Sequence, residues 1–167
     1  MSLERLWAGW RSNYIDDIAN RPPPSPDGDC LFCGLAAGDP GEMMVLARND
    51  AAFAVMNAYP YNSGHLMVAP LRHEPRLGGL SPEEASAVMA LTRDASLAVE
   101  AAYQPDGINV GMNLGRAAGA GVPNHLHVHV LPRWAGDTNF MTAVAETRVL
   151  PESLSTSYEK LLAAWRR

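Results

Sequence analysis

The chain has 167 residues, with 13 Lys and Arg against 18 Asp and Glu, for a formal net charge of −5. That length suits one domain with a full core, and the acidic balance leaves no basic footprint for nucleic acid. Apolar residues make up 47% of the chain, yet they are dispersed, and no run approaches the length that crosses a bilayer.

At the N-terminus, Met1-Ser2-Leu3-Glu4-Arg5-Leu6-Trp7 lacks the apolar stretch of a secretory signal, so a cytoplasmic protein is expected. Leu6, Trp7, Trp10, Tyr14 and Ile15 predict a short amphipathic helix over 4–15. Arg21-Pro22-Pro23-Pro24-Ser25-Pro26-Asp27-Gly28 reads as an extended linker, because proline removes amide donors and favours polyproline geometry. The expected division is 1–28 for this segment and linker, 29–145 for the main domain, and 146–167 for a C-terminal strand and helix.

Strands are predicted at 43–48, 52–57 and 65–70. Ser81-Pro82-Glu83-Glu84 marks a helix start: Ser81 caps, Pro82 takes the first helical position, and Glu84 closes a capping box. Val88, Leu91, Ala95, Ala98, Val99 and Ala102 then recur at three- and four-residue steps, so one face is buried. This helix should stop near Tyr103, ahead of Pro105-Asp106-Gly107. Strands at 107–113 and 124–132 flank a glycine-rich connection, and a last helix from Pro151 aligns Leu154, Tyr158, Leu161, Leu162 and Trp165. The fold class is α+β, a mainly antiparallel sheet with helices packed against it.

Three of the five histidines alternate in His125-Leu126-His127-Val128-His129-Val130-Leu131. On a strand, Leu126, Val128 and Val130 enter the core while the imidazoles share the other face. Histidine can act there as nucleophile, proton carrier or metal ligand. Successive triad residues stand ~7 Å apart and the outer two ~13 Å, so one ion reaches at most two of them. Upstream, Gly111-Met112-Asn113-Leu114-Gly115-Arg116-Ala117-Ala118-Gly119-Ala120-Gly121 has no carboxylate but four glycines, an amide and an arginine. Such a loop suits backbone N–H groups approaching an anion. A phosphate beside a histidine strand points to attack on phosphorus. Cys30 and Cys33 are too few for a disulfide framework and leave a metal clip or a redox pair.

The heptad resembles the His-φ-His-φ-His-φ-φ signature of the histidine triad (HIT) nucleotide hydrolases and transferases. Phe53 to Val68, with Gly64-His65, resembles the nucleotide-site segment of the fragile histidine triad branch. Pro132-Arg133-Trp134, Asp137 and Asn139-Phe140 fit a longer subgroup, and Arg5-Leu6-Trp7, Trp10-Arg11 and Tyr14-Ile15 resemble the N-terminal extension of bacterial diadenosine tetraphosphate phosphorylases. The resemblance implies a five-stranded antiparallel sheet with a long helix packed on it and further terminal helices. It also implies a homodimer, or a tetramer built from it.

By the same resemblance, His127 is the nucleophile that attacks the α-phosphorus, and the His125 carbonyl fixes its tautomer. His129 and Asn113 hold phosphoryl oxygens, His65 packs near the nucleophile, and Asn57 contacts ribose. Backbone donors near Gly119, Ala120 and Gly121 meet the phosphate, and Trp134 either stacks on a base or covers the core. Members of the superfamily bind structural zinc through a cysteine pair, a later histidine and the first triad histidine; here these are Cys30, Cys33, His73 and His125. No organic cofactor is implied. Gly121-Val122-Pro123-Asn124 lacks the serine with which the phosphoramidase branch protonates an amine leaving group. The substrates expected are therefore dinucleoside polyphosphates with orthophosphate as acceptor. Hydrolysis releasing AMP, or nucleotide binding with weak phosphoramidase activity, are the alternatives.

Overall fold

The computed structural model describes residues 30–137 and 151–165. The helix expected at 4–15, the proline-rich linker and Asn139-Phe140 lie outside the described residues, as does the strand part of the C-terminal extension. The elements are α1 (Leu31–Ala37), β1 (Val45–Arg48), β2 (Ala52–Met56), β3 (Leu66–Pro70), α2 (Pro82–Tyr103), β4 (Gly107–Met112), β5 (Val128–Arg133) and α3 (Leu154–Trp165). The strands form one five-stranded sheet in the order β1-β2-β3-β5-β4. Every pairing in it is antiparallel. Among the described residues, no helix is long and apolar enough to cross a membrane.

The start of α2 is set locally. Ser81 Oγ accepts from the Glu84 amide at 3.2 Å, and Glu84 Oε2 accepts from the Ser81 amide at 2.8 Å. Pro82 occupies the first turn, where its missing N–H costs nothing. The helix ends on Tyr103, with Gln104 left-handed at φ 46° ahead of Pro105. Its buried side, Val88, Leu91, Ala95, Ala98 and Val99, packs on Ala54, Met56, Leu66, Val68, Val128 and Val130 of the sheet. Leu161 of α3 joins the same cluster and is fully buried.

The opposite face of the sheet carries a smaller core of Phe32, Val45, Phe53, Val55, Met67 and Ala69. Alternation assigns the faces: Val128 and Val130 turn toward α2, while His129 lies opposite Met67 and Gly111 in the register and shares their side. The central strands β2 and β3 are buried throughout, because helices cover one face and the α1 segment the other.

Two boundaries and one element depart from expectation. The strand expected at 124–132 begins only at Val128. Ahead of it, the Leu126 amide donates to the Glu74 carbonyl at 2.8 Å, so His125 and His127 belong to a connection tied to the β3–α2 loop. The last helix begins at Leu154 rather than Pro151, and α1 was not anticipated. That short helix has no side-chain cap and no acidic residue in its first turn. The burial of Phe32 holds it in place.

Candidate active site

Four histidines meet on the α1 side of the sheet, and their partners fix which nitrogen carries each proton. His127 Nδ1 lies 2.9 Å from the His125 carbonyl, which can only accept. The proton therefore sits on Nδ1, and Nε2 keeps a lone pair. For His65, the Tyr61 amide donates to Nδ1 at 3.0 Å, so Nε2 carries the proton. That Nε2–H donates to His129 Nδ1 at 3.0 Å. His129 in turn presents Nε2–H. A bare nitrogen on His127 thus stands beside a donor on His129, with ring centroids 5.0 Å apart.

Burial keeps the His127 and His129 rings neutral. It pushes the titration of His127 below the ordinary imidazole range. His129 is lowered to about 4, chiefly by burial and secondarily by the neighbouring His127. A neutral imidazole is the nucleophilic form.

The structure brings His65 against His129 rather than directly onto His127. It places the other expected residues as follows. Asn57 is buried, its Oδ1 accepts from the Tyr59 amide at 2.9 Å, and its Nδ2 lies 3.3 Å from His65 Nδ1. Asn113 follows β4 and donates to the Gly119 carbonyl at 3.4 Å, which shapes the glycine loop. In that loop the Gly119 amide is taken by the Arg116 carbonyl at 2.9 Å and the Ala120 amide by the Gly115 carbonyl at 3.4 Å. Gly111 lies opposite His129, and a Cβ there would meet nothing within 4 Å, so the space beside His129 stays open. Trp134 sits edge-on to Tyr103 at 6.0 Å. Arg133 is engaged by Asp137 through Nε at 2.6 Å and Nη2 at 2.8 Å.

Two aromatic residues were not anticipated. Phe32 stacks on His127 with centroids 4.8 Å apart at 25°. Tyr61 stacks on His129 at 5.7 Å and leans on His65 at 4.6 Å. An aromatic between two candidate thiolate ligands, and another four residues ahead of a histidine, were the only signals available.

Cys30, Cys33, His73 and His125 form a second cluster whose ligand atoms all lie within 4.8 Å of one another. His125 Nε2–H donates to the Pro70 carbonyl at 2.9 Å, which leaves Nδ1 unprotonated. That nitrogen points between the two sulfurs, 3.2 Å from Cys30 Sγ and 3.7 Å from Cys33 Sγ. His73 Nδ1 lies 3.4 Å from Cys33 Sγ. Ligands around zinc, at 2.3 Å for sulfur and 2.0–2.1 Å for nitrogen, stand roughly 3.3–3.8 Å apart, so the four donors fit with small side-chain shifts. A carbonyl holding the outer imidazole nitrogen is the usual support of a metal-bound histidine. The cluster could bind a metal. Burial, followed by the neighbouring Cys30, pushes the Cys33 thiol up from its ordinary range.

Residues 42–136 match the HIT domain family. The chain belongs to the HIT family. Over 167 aligned residues it is 38% identical to a protein of Mycobacterium tuberculosis named AP-4-A phosphorylase, spanning 99% of this chain and 86% of that one. It is 34% identical to the asymmetrical bis(5'-nucleosyl)-tetraphosphatase of Schizosaccharomyces pombe over 93 residues, covering 56% of this HIT chain and half of that protein. Among solved structures, a zinc-bound histidine triad family protein from Mycobacterium smegmatis superposes with a TM-score of 0.68 at 28% identity, covering 83% of this chain and 94% of that one.

Proposed function

We propose that this HIT-family enzyme transfers a nucleotidyl group from a dinucleoside polyphosphate to orthophosphate, converting diadenosine tetraphosphate and phosphate to ATP and ADP. The observation that carries the reading is the hydrogen bond from His127 Nδ1 to the His125 carbonyl at 2.9 Å, which aims a bare Nε2 at the substrate side.

In the first step the Nε2 lone pair bonds to an α-phosphorus, and the phosphoanhydride bond on its far side breaks. ATP departs with the bonding pair and, being an anionic polyphosphate, needs no proton from the protein. His129 Nε2–H, polarised from behind by His65, donates to the phosphoryl oxygen as charge builds there. In the second step an oxygen of orthophosphate attacks the same phosphorus, the P–N bond breaks, and the electron pair returns to Nε2 as ADP forms. Asn113 and the loop through Gly119, Ala120 and Gly121 border the phosphates, and Asn57 lies on the ribose side. Trp134 is the least supported member of the expected set, since Tyr103 already engages its ring.

Cys30, Cys33, His73 and His125 would hold a structural zinc, which would cross-link α1, the β3–α2 loop and the segment before β5. The reaction uses none of its chemistry. Exposed Met89 and Leu97 on α2, with Val110 on edge strand β4, support a second copy of the chain as partner.

Incubation with diadenosine tetraphosphate tests the reading. ADP and ATP are expected only when orthophosphate is supplied. AMP and ATP formed without phosphate would make water the acceptor and the enzyme a hydrolase.

A further inference from the structure

His65 ends a turn whose own backbone supplies one hydrogen bond, from the His65 amide to the Asn62 carbonyl at 3.2 Å. Gly64 has φ +77°, a conformation that only glycine adopts without strain. Ser63 Oγ is buried with no hydrogen-bond partner among the described residues, which costs the folded state. Within the turn, the Tyr61 amide reaches His65 Nδ1 at 3.0 Å, closer than Asn57 Nδ2 at 3.3 Å, and this shorter contact does most to select the tautomer of His65 and through it that of His129. Neighbours outside the turn add to this hold.

One neighbour is Asp137, which accepts from Asn62 Nδ2 at 2.9 Å while Arg133 holds it in place. A second is the Pro132 carbonyl, which accepts from the same Asn62 Nδ2 at 3.4 Å, and a third is Tyr103. A Cβ built on Gly64 would fall 2.5 Å from Tyr103 Cε2 and 2.9 Å from Cζ, so the tyrosine ring lies flush against the turn's backbone. Tyr103 is anchored from behind. Its hydroxyl donates to Glu152, which also accepts from Ser157 Oγ at 2.6 Å and pairs with Lys160. Lys160 Nζ stands 5.4 Å over the Tyr103 ring. Glu152, Ser157 and Lys160 lie beyond the segment 42–136 that matches the HIT domain.

We propose that Tyr103 is a positioning residue: its ring, anchored by Glu152 of the C-terminal segment, holds the Tyr61–His65 turn so that His65 keeps donating to His129. The consequence for rate rests on the nucleotidyl-transfer reading above. Once the ring is gone, Gly64 can move into its place and the Tyr61 amide drifts from His65 Nδ1. His65 and His129 then populate both tautomers, and only one of them presents a donor to the phosphoryl oxygen.

Tyr103→Ala, Tyr103→Leu and Tyr103→Phe in the full chain test this, with turnover of diadenosine tetraphosphate and orthophosphate measured beside imidazole ¹⁵N NMR. In the alanine and leucine variants kcat should fall about tenfold with KM within about twofold, the signature of a misplaced catalytic group. The spectra should show mixed tautomers for His65 and His129. Phenylalanine keeps the ring but loses the hydroxyl that Glu152 anchors, so its tautomer mixing and kcat should fall between wild type and Tyr103→Leu. Single tautomers with wild-type kcat in Tyr103→Leu would overturn the proposal, and so would a Tyr103→Phe protein as impaired as Tyr103→Leu, even if Tyr103→Ala fails to fold. The NMR arm needs no substrate. A wild type without nucleotidyl transfer, whose tautomers still scramble in Tyr103→Leu, would refute the proposed reaction and leave the brace standing.

Discussion

The two faces of the sheet are built from the same strands to opposite ends. Toward α2 and α3, residues such as Ala54, Leu66, Val68, Val128 and Val130 meet a helical layer with no polar partner to satisfy. Toward α1 the same strands carry His65 and His129, and a connection brings in His125 and His127, each committed to a named hydrogen bond. The apolar face can tolerate any packing that fills space, whereas each imidazole needs one partner at one nitrogen. The larger core therefore lies on one side and the chemistry on the other, and substitutions can separate them.

The largest effect should come from His127→Ala. Loss of the proposed nucleophile is expected to lower kcat by at least about a thousandfold, a loss far larger than the drop in thermal midpoint from removing the ring beneath Phe32 can explain. Full turnover in that variant would refute attack by His127. The mirror experiment is Leu91→Ala on the helical face. Leu91 is 4% exposed within the main core, and truncation should cost about 2–5 kcal/mol in denaturant unfolding. Per folded molecule, kcat should not move. If it falls in proportion to stability, the two faces are not separable.

Cys33→Ser probes the seam between the metal cluster and the histidine site, because Cys33 and His125 belong to the cluster while the His125 carbonyl also accepts from His127. Elemental analysis should find stoichiometric zinc in the wild type and little in the variant, with a lower thermal midpoint. Purified wild type devoid of metal would sink the zinc reading.

How far the sequence could lead follows the same divide. On the helical face, Ser81, Pro82 and Glu84 start α2 with signals confined to one turn, and the buried stripe from Val88 to Val99 follows from periodicity alone. The histidine alternation likewise indicated a site, and resemblance supplied the cluster of Cys30, Cys33, His73 and His125 that the fold assembles. What stayed hidden depends on contacts between distant segments. The Glu74 carbonyl draws Leu126 off the strand from about fifty residues away, and α1 forms because Phe32 finds a buried place beside His127. Local patterns carry no trace of either.

A smaller effect separates the faces by pH. His129 is surrounded by His65, Tyr61 and His127, and burial lowers its folded pKa to about 4. The unfolded imidazole takes up a proton below about 6.5. Between those values the unfolded chain binds more protons, so stability falls as pH drops from 6.5 toward 4 and is unaffected above. Thermal midpoints of wild type and His129→Asn should therefore run parallel above pH 6.5 and then converge or cross on acidification, as the wild type loses more. Parallel curves down to pH 4 would show that His129 is not depressed.

The smallest effect lies where the two faces are tied together. Arg72, next to His73, grips the Glu84 carboxylate through Nε and Nη2, both at 2.7 Å, and donates again to the Gly79 carbonyl at 2.8 Å. Glu84 is the same residue that caps α2, so this exposed pair joins the loop bearing a candidate metal ligand to the helix covering the other face. The hydrogen bond from Arg72, with the Ser81 amide behind it, lowers the Glu84 carboxyl to about 2. A carboxylate depressed in the folded state stabilises above its unfolded pKa, near 4.5, and that contribution disappears as pH falls toward 2. Water screens so exposed a pair, which keeps the gain small. Glu84→Gln should lower the thermal midpoint slightly at neutral pH, and the deficit should narrow as acid protonates the wild-type carboxylate. Zinc content and kcat should stay at wild-type values, because Glu74 holds the loop independently through the Arg76 amide at 3.0 Å and the Leu126 amide at 2.8 Å. A deficit of constant size from pH 7 to pH 3 would assign the effect to helix capping by an uncharged oxygen rather than to the ion pair.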